Sequence, residues 1–346
     1  MRLVSGATAA NARVQPTPET ASPEPASRRY SRVPLLTQRH LRVVLGLFWL
    51  LDAALQFQPY MFTKSFVTDF LAMNAMYQPH PIGELIVTMT RFLAPHAAAW
   101  NVLFASIQLV IAVGLLWRRT VRVALAVSFT WVLGVWAIGE GFGGLLTGTA
   151  TLVGGAPGAV LLYGLVGAIL WPRARVDPGP AGASVAAEGP LGDRGGRTAW
   201  ALLWCGGAIL QILPGPYPPS SVVINTIDMN LPEPSFLAGL DRTVAGLVGQ
   251  AGNPLELLLA ASEVLIGIHV LRGGRLERPA LWVGIALSSV FWVLGQNFGG
   301  ILAGGATDPN SGPIYVLLAA TLYPRHTGAY GSHRSVERDR TEGNRS

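Results

Sequence analysis

The chain has 346 residues, of which 50% are hydrophobic and 13% charged, with a mean hydropathy of +0.41. An average soluble domain carries about 25% charged residues. This composition excludes a disordered chain, argues against an ordinary soluble enzyme, and predicts a polytopic membrane protein. The formal charge of +6 would raise nucleic acid in a soluble protein, so the placement of the basic residues has to be settled first.

Residues 1–38 are rich in Pro, Ser, Thr and Arg and lack hydrophobic periodicity, which predicts a disordered basic cytoplasmic tail. Eight apolar segments follow: Val43–Phe57, Ala97–Trp117, Val121–Ile138, Pro157–Trp171, Thr198–Leu213, Leu255–Leu271, Pro279–Leu294 and Pro313–Leu322. A helix needs about 20 residues to cross the hydrocarbon. Several segments are shorter and must borrow flanking residues or pack inside a bundle. Of the 25 Lys and Arg, 22 fall in the tails and in alternate connections, leaving Lys64, Arg91 and Arg242 for the rest. That alternation is the positive-inside pattern and puts both termini in the cytoplasm. The location predicted is the plasma membrane of a bacterium, crossed several times. The bilayer is the partner, membrane proteins are further candidates, and nucleic acid is not a partner.

The two halves repeat. Trp49, Gln56 and Pro59 match Trp204, Gln211 and Pro214 at an offset of 155 residues. Asn101, Ala105 and Gln108 match Glu256, Ala260 and Glu263 at the same offset. Trp136 and Gly139-Glu140-Gly141-Phe142-Gly143-Gly144 match Trp292 and Gly295-Gln296-Asn297-Phe298-Gly299-Gly300 at an offset of 156. The fold class expected is all-α: eight transmembrane helices arranged as two parallel four-helix repeats, residues 39–173 and 198–325. Residues 174–197 are expected to be a flexible cytoplasmic linker, and 326–346 a second disordered tail. Each repeat has a long outer loop after its first segment. Ile82, Leu85, Ile86, Met89, Phe92 and Leu93 share one helical face, as do Leu237, Leu240, Val244, Leu247 and Val248. Short amphipathic helices at the outer mouth are expected there.

Polar side chains inside apolar helices are costly and often mark function. The candidate binding residues are Asp52, Gln56, Gln108 and Glu140 in the first repeat, and Gln211, Glu263, Gln296 and Asn297 in the second. Apart from Arg122 at the very start of the third, no Lys or Arg lies within an apolar segment, so these acids have no cationic partner there. They either hydrogen-bond neighbouring amides or hold a proton, a cation or a solute. The motif glycines Gly139, Gly143, Gly144, Gly295, Gly299 and Gly300 permit positive φ, close helix packing or a helix break. The lone Cys205 cannot form an intrachain disulfide and is expected to be a small buried side chain. Met61, Met73, Met76, His80, Glu84 and His96 have no counterpart in the second repeat, and no metal site is expected.

The four-segment layout, the first segment ending Gly46-Leu47-Phe48-Trp49-Leu50-Leu51-Asp52-Ala53-Ala54-Leu55-Gln56-Phe57, and the amphipathic outer segment after it make each half resemble the DoxX/DoxD-like four-helix membrane family. The resemblance covers roughly 280 residues as a tandem duplication. It implies association with membrane redox or quinone chemistry, often as an accessory subunit; no cofactor is expected, and a quinone or a lipid is the candidate ligand. It carries over no catalytic residue and no cofactor motif, and the GEGFGG and GQNFGG motifs lie outside it. The function expected from the residues themselves is small-solute, proton or ion handling through the polar sites. The alternative is a non-catalytic accessory subunit of a redox or cell-envelope complex.

Overall fold

The computed structural model describes residues 36–173, 183–213, 219–228 and 234–324. The predicted tails lie almost wholly outside these residues, as does 174–182 of the predicted linker. Among the described residues the structure is helical and has no strand. In chain order the α-helices are α1 (Gln38–Leu55), α2 (His80–Leu93), α3 (Ala97–Leu116), α4 (Val121–Gly134), α5 (Ala159–Ile169) and α6 (Gly192–Ile212). They continue with α7 (Pro219–Asp228), α8 (Ser235–Ala251), α9 (Asn253–Arg272), α10 (Glu277–Leu294) and α11 (Ser311–Leu322). The eight apolar segments fall in α1, α3, α4, α5, α6, α9, α10 and α11. The predicted amphipathic stretches form α2 and α8.

Four stretches are long and apolar enough to cross a membrane: His80–Leu116, Val121–Gly139, Asn253–Arg272 and Glu277–Ala303. The other apolar segments differ for identifiable reasons. Helices α1 and α6 are long, but Arg39, Arg42, Asp193, Arg194 and Arg197 dilute their first turns. Helices α5 and α11 have only 11 and 12 residues, about 17–18 Å at 1.5 Å per residue. Almost every side chain of these two is buried, and they pack on each other at the centre. A helix surrounded by protein need not match the bilayer thickness.

The helices around this centre turn their in-span amides and acids inward, among apolar core residues, and expose long apolar faces. On α3, Asn101, Ala105 and Gln108 are buried while Val102, Leu103, Val110 and Val113 are exposed. On α9, Glu256, Ala260 and Glu263 are buried while Leu257, Leu258 and Leu265 are exposed. A water-soluble bundle would reverse this pattern. An exposed apolar surface of this extent is wetted by lipid, so the protein is a membrane protein. Small residues let the helices approach: a Cβ on Gly46 of α1 would come within 3.2 Å of Leu115 Cβ on α3. The corresponding seam joins α6 to α9, where a Cβ on Gly267 would meet Cys205 Sγ at 2.7 Å. Cys205 is only half-buried, at this seam.

Part of the predicted linker is ordered. Val185 and Ala186 are buried against α6 and α11, and Ser184 Oγ donates to Asp193 Oδ1 at 2.6 Å. This small apolar contact and the hydrogen bond to Asp193 accompany a start of α6 at Gly192, ahead of the Thr198 expected from hydropathy.

The matched landmarks make matched contacts. Asn101 Nδ2 donates to the Gln56 carbonyl at 2.7 Å, and Gln211 Nε2 reaches the Glu256 carbonyl at 3.3 Å. Trp136 Nε1 donates to Pro157 O at 2.8 Å, and Trp292 Nε1 to Pro309 O at 2.7 Å. Phe142 stands edge-on to Trp136 at 5.0 Å between ring centres, and Phe298 to Trp292 at 4.9 Å. Arg122 and Arg278 each donate to a proline carbonyl at 3.3 Å, of Pro172 and Pro324 respectively.

Candidate functional site

The glycine motifs are built as turns. After α4 the chain makes one wide turn, Val135–Gly139, and then left-handed residues at Phe142 (φ 57°), Gly143 (φ 62°) and Gly144 (φ 68°). After α10, Asn297, Phe298, Gly299 and Gly300 are likewise left-handed. Only Gly enters this region without a steric cost, so the glycines here serve chain reversal. The reversal aims the acid or amide of each motif at the next helix. Glu140 Oε1 accepts from the Val160 backbone N–H at 2.9 Å, at the start of α5. Gln296 Oε1 accepts from the Gly312 N–H at 3.0 Å, at the start of α11. Each satisfies an otherwise orphaned donor of a buried helix N-terminus. Glu140→Ala should therefore cost about 1–2 kcal/mol, whereas Glu140→Gln, which keeps an acceptor, should cost much less. Thermal unfolding in detergent separates the two; equal losses would remove the capping role.

A cavity of about 310 Å³ opens between α1, α3, α4 and α5 of the first half. It brings together four of the sequence-derived candidates, Asp52, Gln56, Gln108 and Glu140, and adds Asn101. Each reaches it for a local reason. Asp52 and Gln56 are one turn apart on the buried face of α1, and Asn101 and Gln108 two turns apart on that of α3. The Tyr163 hydroxyl, from α5, donates to Asp52 Oδ1 at 3.0 Å, and its ring stands edge-on to Trp49. The side-chain oxygens of Gln56, Asn101 and Gln108 are buried without a hydrogen-bond partner among the described residues.

Two wall residues come from the other half of the chain. Thr307 and Asp308 line the same cavity. Asp308 is held by its neighbours: Thr307 Oγ1 donates to Oδ2 at 2.8 Å and the Asn310 N–H to Oδ1 at 2.7 Å. Burial pushes the Asp308 carboxyl above its ordinary range, against these two donors. Glu140 is pushed up to about 8 by burial and then by the charge of Asp308, against the N–H groups of Val160 and Ala159. Among the described lining residues there is no Lys, Arg or His.

A second cavity of about 540 Å³ adjoins the first and shares Phe70 and Glu140 with it. It is lined by the turn glycines Gly143, Gly144, Gly295, Gly299 and Gly300, with Gln296, Asn297 and Asn310. Gly139 is used otherwise: its carbonyl accepts from Asn74 Nδ2 at 2.6 Å.

The candidates of the second half are therefore divided. Gln296 and Asn297 line the second cavity. Gln211 Nε2 donates to Glu256 Oε2 at 2.6 Å. Glu263 is fully buried, and neither carboxyl oxygen has a hydrogen-bond partner among the described residues. The position matching Asp52 is Gly207, against which Leu152 of the first half packs.

The sequence reading missed Asp308, Thr307 and Tyr163. Asp308 carries no motif and lies outside any apolar segment. Tyr163 could have been found, because it sits in the fourth segment as the counterpart of Tyr315. Of the Met and His residues in the first outer loop, Met61 is fully buried, and His80 lies 3.8 Å from Glu84 on an exposed helix face. No family model matches the chain, and neither a curated protein nor a solved structure matches it.

Proposed function

We propose that the chain is an eight-helix membrane protein of two parallel four-helix repeats. In this reading it handles a small solute through the cavity of the first repeat. The observation that carries this is the gathering of Asp52, Gln56, Asn101, Gln108 and Asp308 around one space inside apolar helices. Volumes of about 300–1,000 Å³ with few polar groups on apolar walls are typical of small-molecule sites. The adjoining second cavity, walled by both glycine motifs, supplies a polar approach past Phe70 and Glu140. The matched contacts of Trp136 and Trp292, and of Gln56 and Gln211, support the repeat arrangement.

Thiol accessibility tests the reading. On a Cys205→Ala background, Gln108→Cys in membrane vesicles should react with a small methanethiosulfonate reagent added in water. The reaction should slow when Gly134→Phe is added, because Gly134 lines the cavity and a Cβ there meets open space. A Gln108→Cys thiol that never reacts in folded protein would mean a closed, dry bundle. Solute handling would then fall, and the accessory-subunit reading would take its place.

A further inference from the structure

We propose that the cavity of the first repeat selects an organic cation, a protonated amine on an apolar body, and rejects anions of the same size. This rests on the reading of that cavity as a solute site and names its ligand class.

Three independent features converge. The first is charge. Asp52, Glu140 and Asp308 all line the cavity, and no Lys, Arg or His does so among the described residues. An anion would find no counter-charge in this low-dielectric space and would oppose ionisation of the three carboxyls, whereas a cation favours it. A cation supplies the partner that these carboxyls lack.

The second is hydrogen bonding. Gln56, Asn101 and Gln108 are at most 7% exposed, yet each has a side-chain oxygen without a partner. A buried polar group left unpaired is costly. Three nearby donors are already committed, Tyr163 to Asp52, Asn101 Nδ2 to the Gln56 carbonyl and Thr307 to Asp308, while Trp131 Nε1 on the same wall is a buried donor without a partner among the described residues. An ammonium brings up to three donors and no acceptor. A quinone brings acceptors only, and would leave the carboxyls without a counter-charge.

The third is the wall. Phe92, Trp100, Phe104 and Trp131 form a continuous aromatic run, with successive ring centres 5.3, 6.1 and 5.4 Å apart. Trp49, Phe66 and Phe70 add further rings to the lining. Aromatic faces attract cations and accept an apolar body equally well. A bare metal ion would instead need a tight shell of six to eight oxygens, which walls so largely aromatic do not supply.

The test uses the full chain in lipid nanodiscs and three ligands of one shape: 2-phenylethylammonium, 2-phenylethanol and 3-phenylpropionate. Binding is read by quenching of tryptophan fluorescence and by the rise in thermal unfolding temperature. The ammonium should bind, and the carboxylate should not. Asp52→Asn, which keeps an oxygen for Tyr163, should weaken ammonium binding about ten- to a hundredfold and weaken the alcohol by a much smaller factor. Asp308→Asn serves as a second variant should Asp52→Asn fold poorly, and the ligand series on the unaltered protein needs no variant. Equal or tighter binding of the alcohol or carboxylate would overturn the cation assignment while leaving the solute site standing. An accessible Gln108→Cys thiol with no ammonium binding would overturn it as well. An inaccessible thiol would remove the solute site itself.

Discussion

Replacing Gly143 by Ala should destabilise the protein by about 3–5 kcal/mol, while the same change at the neighbouring Gly144 should cost about 1–2 kcal/mol. Both residues are left-handed, at φ 62° and 68°, so both substitutions carry the strain of a side chain in that region. They differ in surroundings. A Cβ on Gly143 would run into the carbonyl of Pro157, whereas one on Gly144 would meet only Thr147 Oγ1 at 3.6 Å and Ala150 Cβ at 3.9 Å. The Pro157 carbonyl is also the acceptor for Trp136 Nε1, so displacing it loosens the ring that packs on Phe142. The second motif should behave alike, because a Cβ on Gly299 would meet Asp308 O and Pro309 O, each at 2.8 Å. Thermal or denaturant unfolding in mild detergent measures the difference. Equal losses for Gly143→Ala and Gly144→Ala would show that close approach to the returning loop contributes nothing.

Arg197→Met should cost about 2–3 kcal/mol, and adding Glu277→Gln to it should recover most of the loss. Arg197 Nη2 of α6 lies 2.8 Å from Asp193 Oδ2 and 2.9 Å from Glu277 Oε1 at the start of α10. The Glu277 side chain is 5% exposed and that of Arg197 is 22% exposed. Removing the guanidinium leaves a buried carboxylate with its partner gone. That is the expensive case, whereas removing both charges is not. The partial exposure of Arg197 keeps the figure at the low end of buried pairs. Unfolding of the two single variants and the double variant gives the coupling. If the double variant loses as much as the sum of the singles, the ion pair does not join these helices.

Much of the helical layout was legible because it depends on local periodicity. The eight apolar segments coincide with helices, and Asn101 with Gln108 and Glu256 with Glu263 fall on buried faces as their seven-residue spacing requires. The outer stretches form α2 and α8 by the same 3.6-residue rule. Membrane-crossing length was less legible. The segments of α5 and α11 read as short spans, whereas the structure shows helices of 11 and 12 residues buried among their neighbours. Leu152 and Asp308 were not legible at all. Leu152 fills the space over Gly207, and Asp308 lines a cavity whose other acids lie more than 150 residues away.

The sequence by itself determined that this is a helical membrane protein, and its spaced landmarks are what the proposed repeat rests on. It also singled out the acids and amides that would be buried. These follow from composition, from hydropathy period and from a near-constant offset, all of which are properties of neighbours along the chain. The tertiary structure decided which of those residues share a space. It made Glu140 and Gln296 helix caps, and it gave Asp52 a hydroxyl partner in Tyr163. It also sent loops from each half against the other: Gln58 reaches the Ala306 carbonyl at 2.9 Å, and Gln296 Nε2 the Leu152 carbonyl at 3.3 Å. Contacts across such separations are set by how whole helices pack, which no local pattern encodes. The space beside Asp52 in the first half is taken, at Gly207 in the second, by Leu152.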